Sequence, residues 1–285
     1  MILAETVRKR DRALQILGAL DGAVVAFSGG VDSTLLLKLA VQALGERCVA
    51  LTAVSPSLSA REREEARKLA GSLGVRHVWA DSRELDREGF RSNPTHRCYF
   101  CKSELFDLCF ADAAARGFGA VVYGATADDV GDHRPGMVAA RERGARAPLL
   151  EAGLGKEEIR ALSREAGLPT HDKPAMACLS SRFPYGTAIT EERLGRVEAA
   201  EEVLRSRGFR DVRVRFHDDV ARIEVGAPEW NRLADPELRA TIAREIRGTG
   251  FRFVSLDLEG FASGRMNRPA AVSPASDEAW SGTGG

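Results

Sequence analysis

Apolar residues recur along this chain with two periods, and the order in which those periods alternate predicts its layout. Between residues 4 and 20, Val7, Leu14, Leu17 and Leu20 stand among charges as on an amphipathic helix. The unbroken run Ala23 to Phe27 has the length of a buried strand, and after a glycine turn Thr34 to Ala40 is filled with helix formers. Cys48 to Ala53 predicts a second strand. Ser59 followed by Glu62 has the spacing of a capping box, opening a helix through Leu73 that ends at Gly74. Val75 to Ala80 reads as a third strand, about 103 to 116 as a helix, Ala120 to Tyr123 as a fourth strand, and Lys156 to Ala166 as a helix closed by Gly167. Strands alternating with helices predict an α/β fold, a doubly wound parallel sheet of Rossmann-like form. Ligands of such sheets sit beyond the carboxyl ends of the strands. The loop after the first strand, Val54 to Ser57, and Gly124 to Asp132 are therefore expected to line one crevice.

The pattern changes near His171. Thr190 caps a helix to about Arg207, strands follow at Val212 to Phe216 and Ala221 to Val225, Asp235 with Pro236 opens another helix, and Phe251 to Leu256 is a strand. This predicts a smaller α+β unit. We divide the chain into one domain over 1–170, a C-terminal α+β domain for substrate binding or assembly over 171–267, and a Pro-, Ala-, Ser- and Gly-rich tail over 268–285 that is expected to be disordered.

The turn between the first strand and its helix carries the chemistry. In Ser28-Gly29-Gly30-Val31-Asp32-Ser33 the paired glycines let a phosphate approach the backbone, and the opening N–H groups of the helix lie at its positive dipole end. Ser28 and Ser33 add hydroxyl donors. Asp32, a carboxylate beside a phosphate site, makes sense as a ligand to a bridging Mg²⁺. The plain alternative is a glycine turn with a helix cap. The spacing is not that of the Walker loop; it resembles the PP-loop, SGGxDS, of the ATP pyrophosphatases. That resemblance implies cleavage of ATP between the α and β phosphates, adenylation of a substrate oxygen and release of pyrophosphate.

Composition narrows the setting. The 285 residues include 41 basic and 41 acidic side chains, so no global field draws the chain to nucleic acid or to an anionic membrane. Five cysteines without an export signal argue for a reducing compartment, and we place the protein in the cytoplasm. Cys98-Tyr99-Phe100-Cys101 can present two thiolates to one metal, and Cys178 is a third. Cys48 in a strand and Cys109 in a helix read as small buried residues. Three thiolates are one short of a closed zinc site, whereas a [4Fe-4S] cluster on three cysteines leaves one iron free to bind sulfide. A CxxC redox pair is the competing explanation.

Four further motifs narrow the resemblance. NPTHRCYFCKSELF, GATADDVGDHRPG, PAMACLSSRFPYGT and FRFVSLDLEGFASGRMN follow the PP-loop in order, and together, to about Asn267, they resemble the LarE family of ATP-dependent sulfur transferases. The resemblance implies conversion of carboxylates of pyridinium-3,5-biscarboxylic acid mononucleotide to thiocarboxylates, feeding the nickel-pincer nucleotide cofactor, in a homo-oligomer. Two forms of that chemistry are implied. In one, the cysteine at the place of Cys178 gives up its own sulfur and becomes dehydroalanine. In the other, the three cysteines hold a [4Fe-4S] cluster carrying an extra sulfide. Cys98 and Cys101 are surplus to the first, so the second is favoured here. Thr126 stands where the family pattern suggests Asn, and His133 where it suggests Tyr, which bears on substrate contacts.

Other polar candidates are less specific. Asp128 and Asp129 help hold Mg²⁺ or order their loop. Arg213 and Arg215 alternate along a strand, on one face; they are a solvated edge or, with Arg182, an anion clamp for the substrate. His96, His171 and His217 read as loop or surface residues. The competing functions are a PP-loop tRNA thiolase, which the neutral charge disfavours, and a non-catalytic module that only holds ATP, which Asp32 disfavours.

Overall fold

A computed structural model describes residues 3–130, 135–174 and 177–262. Asp132, His133, Met176 and the tail over 268–285, for which expectations were given above, lie outside the described residues. In chain order the elements are α1 (Ala4–Gly18), β1 (Ala23–Ala26), α2 (Val31–Leu44), β2 (Cys48–Val54), α3 (Ala60–Ser72), β3 (Arg76–Asp81), α4 (Glu88–Arg91), α5 (Arg97–Arg116), β4 (Ala120–Tyr123), α6 (Pro135–Glu142), α7 (Pro148–Glu151), α8 (Lys156–Glu165), α9 (Glu191–Arg205), β5 (Val212–His217), β6 (Val220–Val225), α10 (Pro236–Gly248) and β7 (Phe253–Leu256).

The first four strands form one parallel sheet in the order β3-β2-β1-β4, as the alternation of periods requires. Successive side chains of β1 point to opposite faces. Ala23 and Val25 pack, with Phe27, into a core shared with α1, α2, α3 and α8, while Val24 and Ala26 join Phe106, Cys109 and Ala140 from α5 and α6 on the other face. The chain runs outward from β1 to β3 and then returns to place β4 on the opposite side of β1. That switch point opens the crevice beyond the carboxyl ends of β1 and β4.

Three strands make the second sheet, with β5 antiparallel to β6 and β6 parallel to β7. Its core holds Val212, Val214, Phe216, Ile223 and Val225 against Leu194, Val197 and Leu204 of α9 and Ile242 and Ile246 of α10. It also recruits Phe90, and packed against it are Phe100 and Cys101, all from before residue 171.

Local signals account for most boundaries. Ser59 and Glu62 make the capping box of α3, Thr190 accepts from the Arg193 N–H at the start of α9, and Asp235 accepts from the Glu237 N–H ahead of α10. One boundary differs from expectation. The helix expected over about 103–116 begins at Arg97 and includes both cysteines of the CxxC. Its first turn turns a charged residue inward, since Arg97 is buried, and so breaks the apolar period that would have marked it. The short helices α4, α6 and α7 carry too few turns for a periodic signal.

Candidate active site

At the end of β1 the backbone turns through Gly29, at φ +71°, and Gly30 takes the N-cap position of α2 without supplying a side-chain cap. The opening N–H groups of α2 therefore keep their capacity for an anion. Two serines brace the loop from within. The hydroxyls of Ser28 and Ser33 lie 3.1 Å apart, Ser33 donates to the Gly30 carbonyl at 3.2 Å, and Thr34 donates to the same carbonyl at 2.7 Å. Gly124, at the end of β4, comes so close that a Cβ there would lie 2.9 Å from the Ser33 nitrogen. Only glycine permits that approach. Asp32 stands in the first turn of α2, where its carboxylate also faces the helix dipole.

Beyond β4, Asp128 and Asp129 fasten a loop. Asp129 accepts from the Thr126 N–H at 2.9 Å and lies 3.5 Å from the Lys156 ammonium. Asp128 accepts from the Lys156 N–H at 2.6 Å, at the start of α8. Both carboxylates thus tie the crevice wall to α8.

The cysteine segments are joined by Asn93 and Arg97, two residues of the NPTHRCYFCKSELF motif that had no role assigned to them. Asn93, held at φ +55°, donates to the Pro184 carbonyl at 2.7 Å. Arg97 donates to Asn93 Oδ1 at 2.5 Å and to the Ser180 carbonyl at 2.9 Å, joining the first turn of α5 to the turn over Leu179–Arg182 that follows Cys178. The Leu179 N–H is bound in turn to the Ser57 carbonyl at 3.0 Å, beyond the carboxyl end of β2. Cys98 and Cys178 are exposed and Cys101 is half-buried.

The thiols sense one another. Burial first, and then the charge of Glu84, push the Cys101 thiol well up, and Cys178 adds to this. Cys178 opens to solvent on one side, yet it has enough protein around it for desolvation to raise its thiol too; Arg97 and Arg182 oppose the rise and Cys98 reinforces it. Glu84 is buried and accepts hydrogen bonds from the hydroxyls of Ser55, at 2.6 Å, and Ser57. Nothing in the surrounding sequence flags this carboxylate.

The three candidate clamp arginines differ in what they hold. Arg182 is buried and bidentate to Glu201, with Nε to Oε1 at 2.8 Å and Nη2 to Oε2 at 3.0 Å, and its remaining donor reaches the Cys178 carbonyl at 2.9 Å. Arg215 is likewise bidentate to buried Glu224, and donates to the Ser181 carbonyl at 2.9 Å. These two are tied down, and what they position is the backbone around Cys178. Arg213 lies over the Phe261 ring at 4.8 Å, and among the described residues no carboxylate lies within ion-pairing distance of it. Burial, and then Arg182 beside it, push it down to about 10. It lines a cleft of about 510 Å³ together with Arg61, Lys173, Arg205 and Glu201, between α3 and α9. A half-buried guanidinium in such a cleft is relieved by an incoming anion.

Among the described residues no group of three or more His, Cys, Asp or Glu side chains is arranged to hold a metal ion, and no helix is long and apolar enough to cross a membrane.

Comparison with known proteins agrees with this geometry. The NAD synthase family model matches residues 4–94, the part that carries the loop. The fold and loop define a PP-loop enzyme that uses ATP. Pyridinium-3,5-bisthiocarboxylic acid mononucleotide synthase of Lactiplantibacillus plantarum is 40% identical over 267 residues, covering 93% of this chain and 96% of that protein. An uncharacterized protein of Synechocystis sp. is 45% identical over 260 residues, covering 91% and 97%. Another, from Methanocaldococcus jannaschii, is 26% identical over 240 residues, covering 84% and 90%. The chain belongs to the LarE family of ATP-dependent sulfur transferases.

Proposed function

We propose that this protein adenylates a carboxylate of pyridinium-3,5-biscarboxylic acid mononucleotide and replaces the AMP with sulfur, giving a thiocarboxylate for the nickel-pincer nucleotide cofactor. The observation that carries the reading is the joining of α5, which bears the CxxC, to the turn after Cys178 by Arg97 and Asn93, in a chain whose first strand ends in a nucleotide loop.

The residues divide the work. Ser28, Gly29, Gly30 and Ser33 cradle the phosphates, and Asp32 would hold a Mg²⁺, which would supply charge neutralisation for the departing pyrophosphate. Arg213 binds the phosphate of the mononucleotide, while Arg182 and Arg215 keep the Cys178 backbone in place. A substrate carboxylate oxygen attacks the α phosphorus and pyrophosphate leaves; a sulfur nucleophile then attacks the acyl carbon and AMP leaves. For the sulfur we propose a [4Fe-4S] cluster, which Cys98, Cys101 and Cys178 would hold and which would supply sulfide. Support comes from the chemistry of the donors and not from their arrangement: the Cys178 thiol feels Cys98, and Arg97 and Arg182 are at hand to offset thiolate charge, while the described residues hold no preformed metal-binding group.

Anaerobic purification followed by iron assay, pyrophosphate release and intact mass tests this. Bound iron, and repeated turnover that needs added sulfide, is the expected result. Iron-free protein that loses roughly 34 Da, one H₂S, in a single turnover makes Cys178 the sacrificial donor instead. ATP binding with no pyrophosphate in the presence of the dicarboxylate overturns the enzymic reading.

A further inference from the structure

Lys173 touches both halves of the site, and no motif assigns it a role. Its ammonium donates to the Gly29 carbonyl at 3.0 Å and to Glu65 Oε2 at 2.8 Å. Gly29 belongs to the anion loop itself. The root of the same residue is fastened from below, because Arg160 donates to the His171 carbonyl at 2.8 Å and to the Lys173 carbonyl at 2.9 Å. Further along, the segment carries Cys178 and is anchored again where Leu179 binds Ser57.

The loop from Ser28 to Ser33 has no basic side chain of its own. A triphosphate bound there meets N–H groups, hydroxyls and Asp32-bound Mg²⁺, and the ammonium that reaches the Gly29 carbonyl is that of Lys173. Its present partner is a weak competitor. The Glu65 side chain is one-third exposed and shared with Arg61 at 2.8 Å, and partly solvated pairs of this kind contribute little. Phosphate oxygens make stronger charge-assisted bonds, and lysine, a point charge on a flexible stem, can swing to meet them.

We propose that Lys173 is a further phosphate ligand of this site, and that by leaving Glu65 for bound ATP it fixes the segment leading to Cys178, so that the sulfur-bearing residue is set in place when the activating nucleotide is present. This rests on reading Ser28 to Ser33 as the ATP site.

Hydrogen–deuterium exchange on the protein as isolated, with and without Mg²⁺-ATP and with no carboxylate substrate to consume it, tests the coupling. In the wild type, ATP slows exchange both in peptides over 28–44 and in peptides over 171–182. Lys173→Met weakens ATP binding roughly tenfold, the worth of one charge-assisted bond. At saturating ATP it keeps the protection over 28–44 but loses that over 171–182, and Lys173→Arg restores part of it. Glu65→Gln, which removes the competitor, binds ATP a few-fold more tightly. Unchanged protection over 171–182 in Lys173→Met, or weaker binding by Glu65→Gln, overturns the proposal while leaving the ATP site standing. Absence of ATP binding and of protection over 28–44 in the wild type overturns the ATP-site reading, and the coupling with it.

Discussion

Around Ser28 to Ser33 the site is built from small residues adjacent in sequence: a glycine at positive φ, a second glycine at the N-cap, two facing hydroxyls and the first turn of α2. Around Cys178 it is built from buried ions that join distant segments, Arg97 to Ser180, Arg182 to Glu201 and Arg215 to Glu224. The first arrangement stabilises little and is shaped by sterics. The second depends on pairs that are costly to break, since removing one partner leaves a buried charge. Chemistry and stability should therefore respond in opposite ways to substitution in the two regions.

The largest expected effect tests the division of labour. Asp32→Ala lowers pyrophosphate release by about 100-fold or more by removing metal-assisted charge neutralisation, while Cys178→Ala keeps pyrophosphate release and abolishes the thiocarboxylate. Both steps assayed on both variants settle it: Asp32→Ala loses both because the adenylate precedes sulfur transfer, and equal loss of both by Cys178→Ala would erase the distinction drawn here. Next in size is stability. Glu201→Ala costs about 3–5 kcal/mol in urea unfolding because Arg182 is left buried and unpaired, whereas Gly29→Ala costs about 1–2 kcal/mol for an L residue at positive φ. The reverse order would mean that the loop, not the ion pairs, holds the site together.

A pH titration sharpens the same point. Burial alone would raise Glu201, but Arg182 and Arg205 hold it down to about 2. Its folded value is below the ordinary glutamate value of about 4.3, so its stabilisation is complete above that pH and is lost as the pH falls toward 2. Acid unfolding of the wild type should be steep across that window and flatter in Glu201→Gln. The smallest effect is in alkylation at neutral pH. In iron-free protein the exposed Cys98 is modified readily, while burial pushes Cys48 and Cys109 up to about 12 and keeps them unmodified.

The same contrast explains what could be read from residues alone. The anion loop, the capping box at Ser59 and Glu62 and the Asp235-Pro236 helix start are local patterns, each complete within a few positions, and the sheet follows from their order. The start of α5 was hidden because its first turn faces a second core and buries Arg97. Glu84, Lys173, Glu201 and Glu224 carry no local signature, since each matters through a partner elsewhere in the chain. Arg213 and Arg215 look equivalent on alternate positions of β5. What separates them is that Glu224 of β6 meets one and not the other.

The recruitment of Phe90, Phe100 and Cys101 by the core of the second sheet sets an order of assembly during synthesis. A nascent chain that has emerged only as far as residue 170 can close the parallel sheet around β1, yet those side chains have no core to enter until β5, β6 and α9 follow. Domains fold as units as they emerge. The Ser28 to Ser33 loop thus has its strand and helix while the first turn of α5 still awaits its surroundings, and Arg97 meets the Ser180 carbonyl, as Lys173 meets that of Gly29, only when the later segment follows.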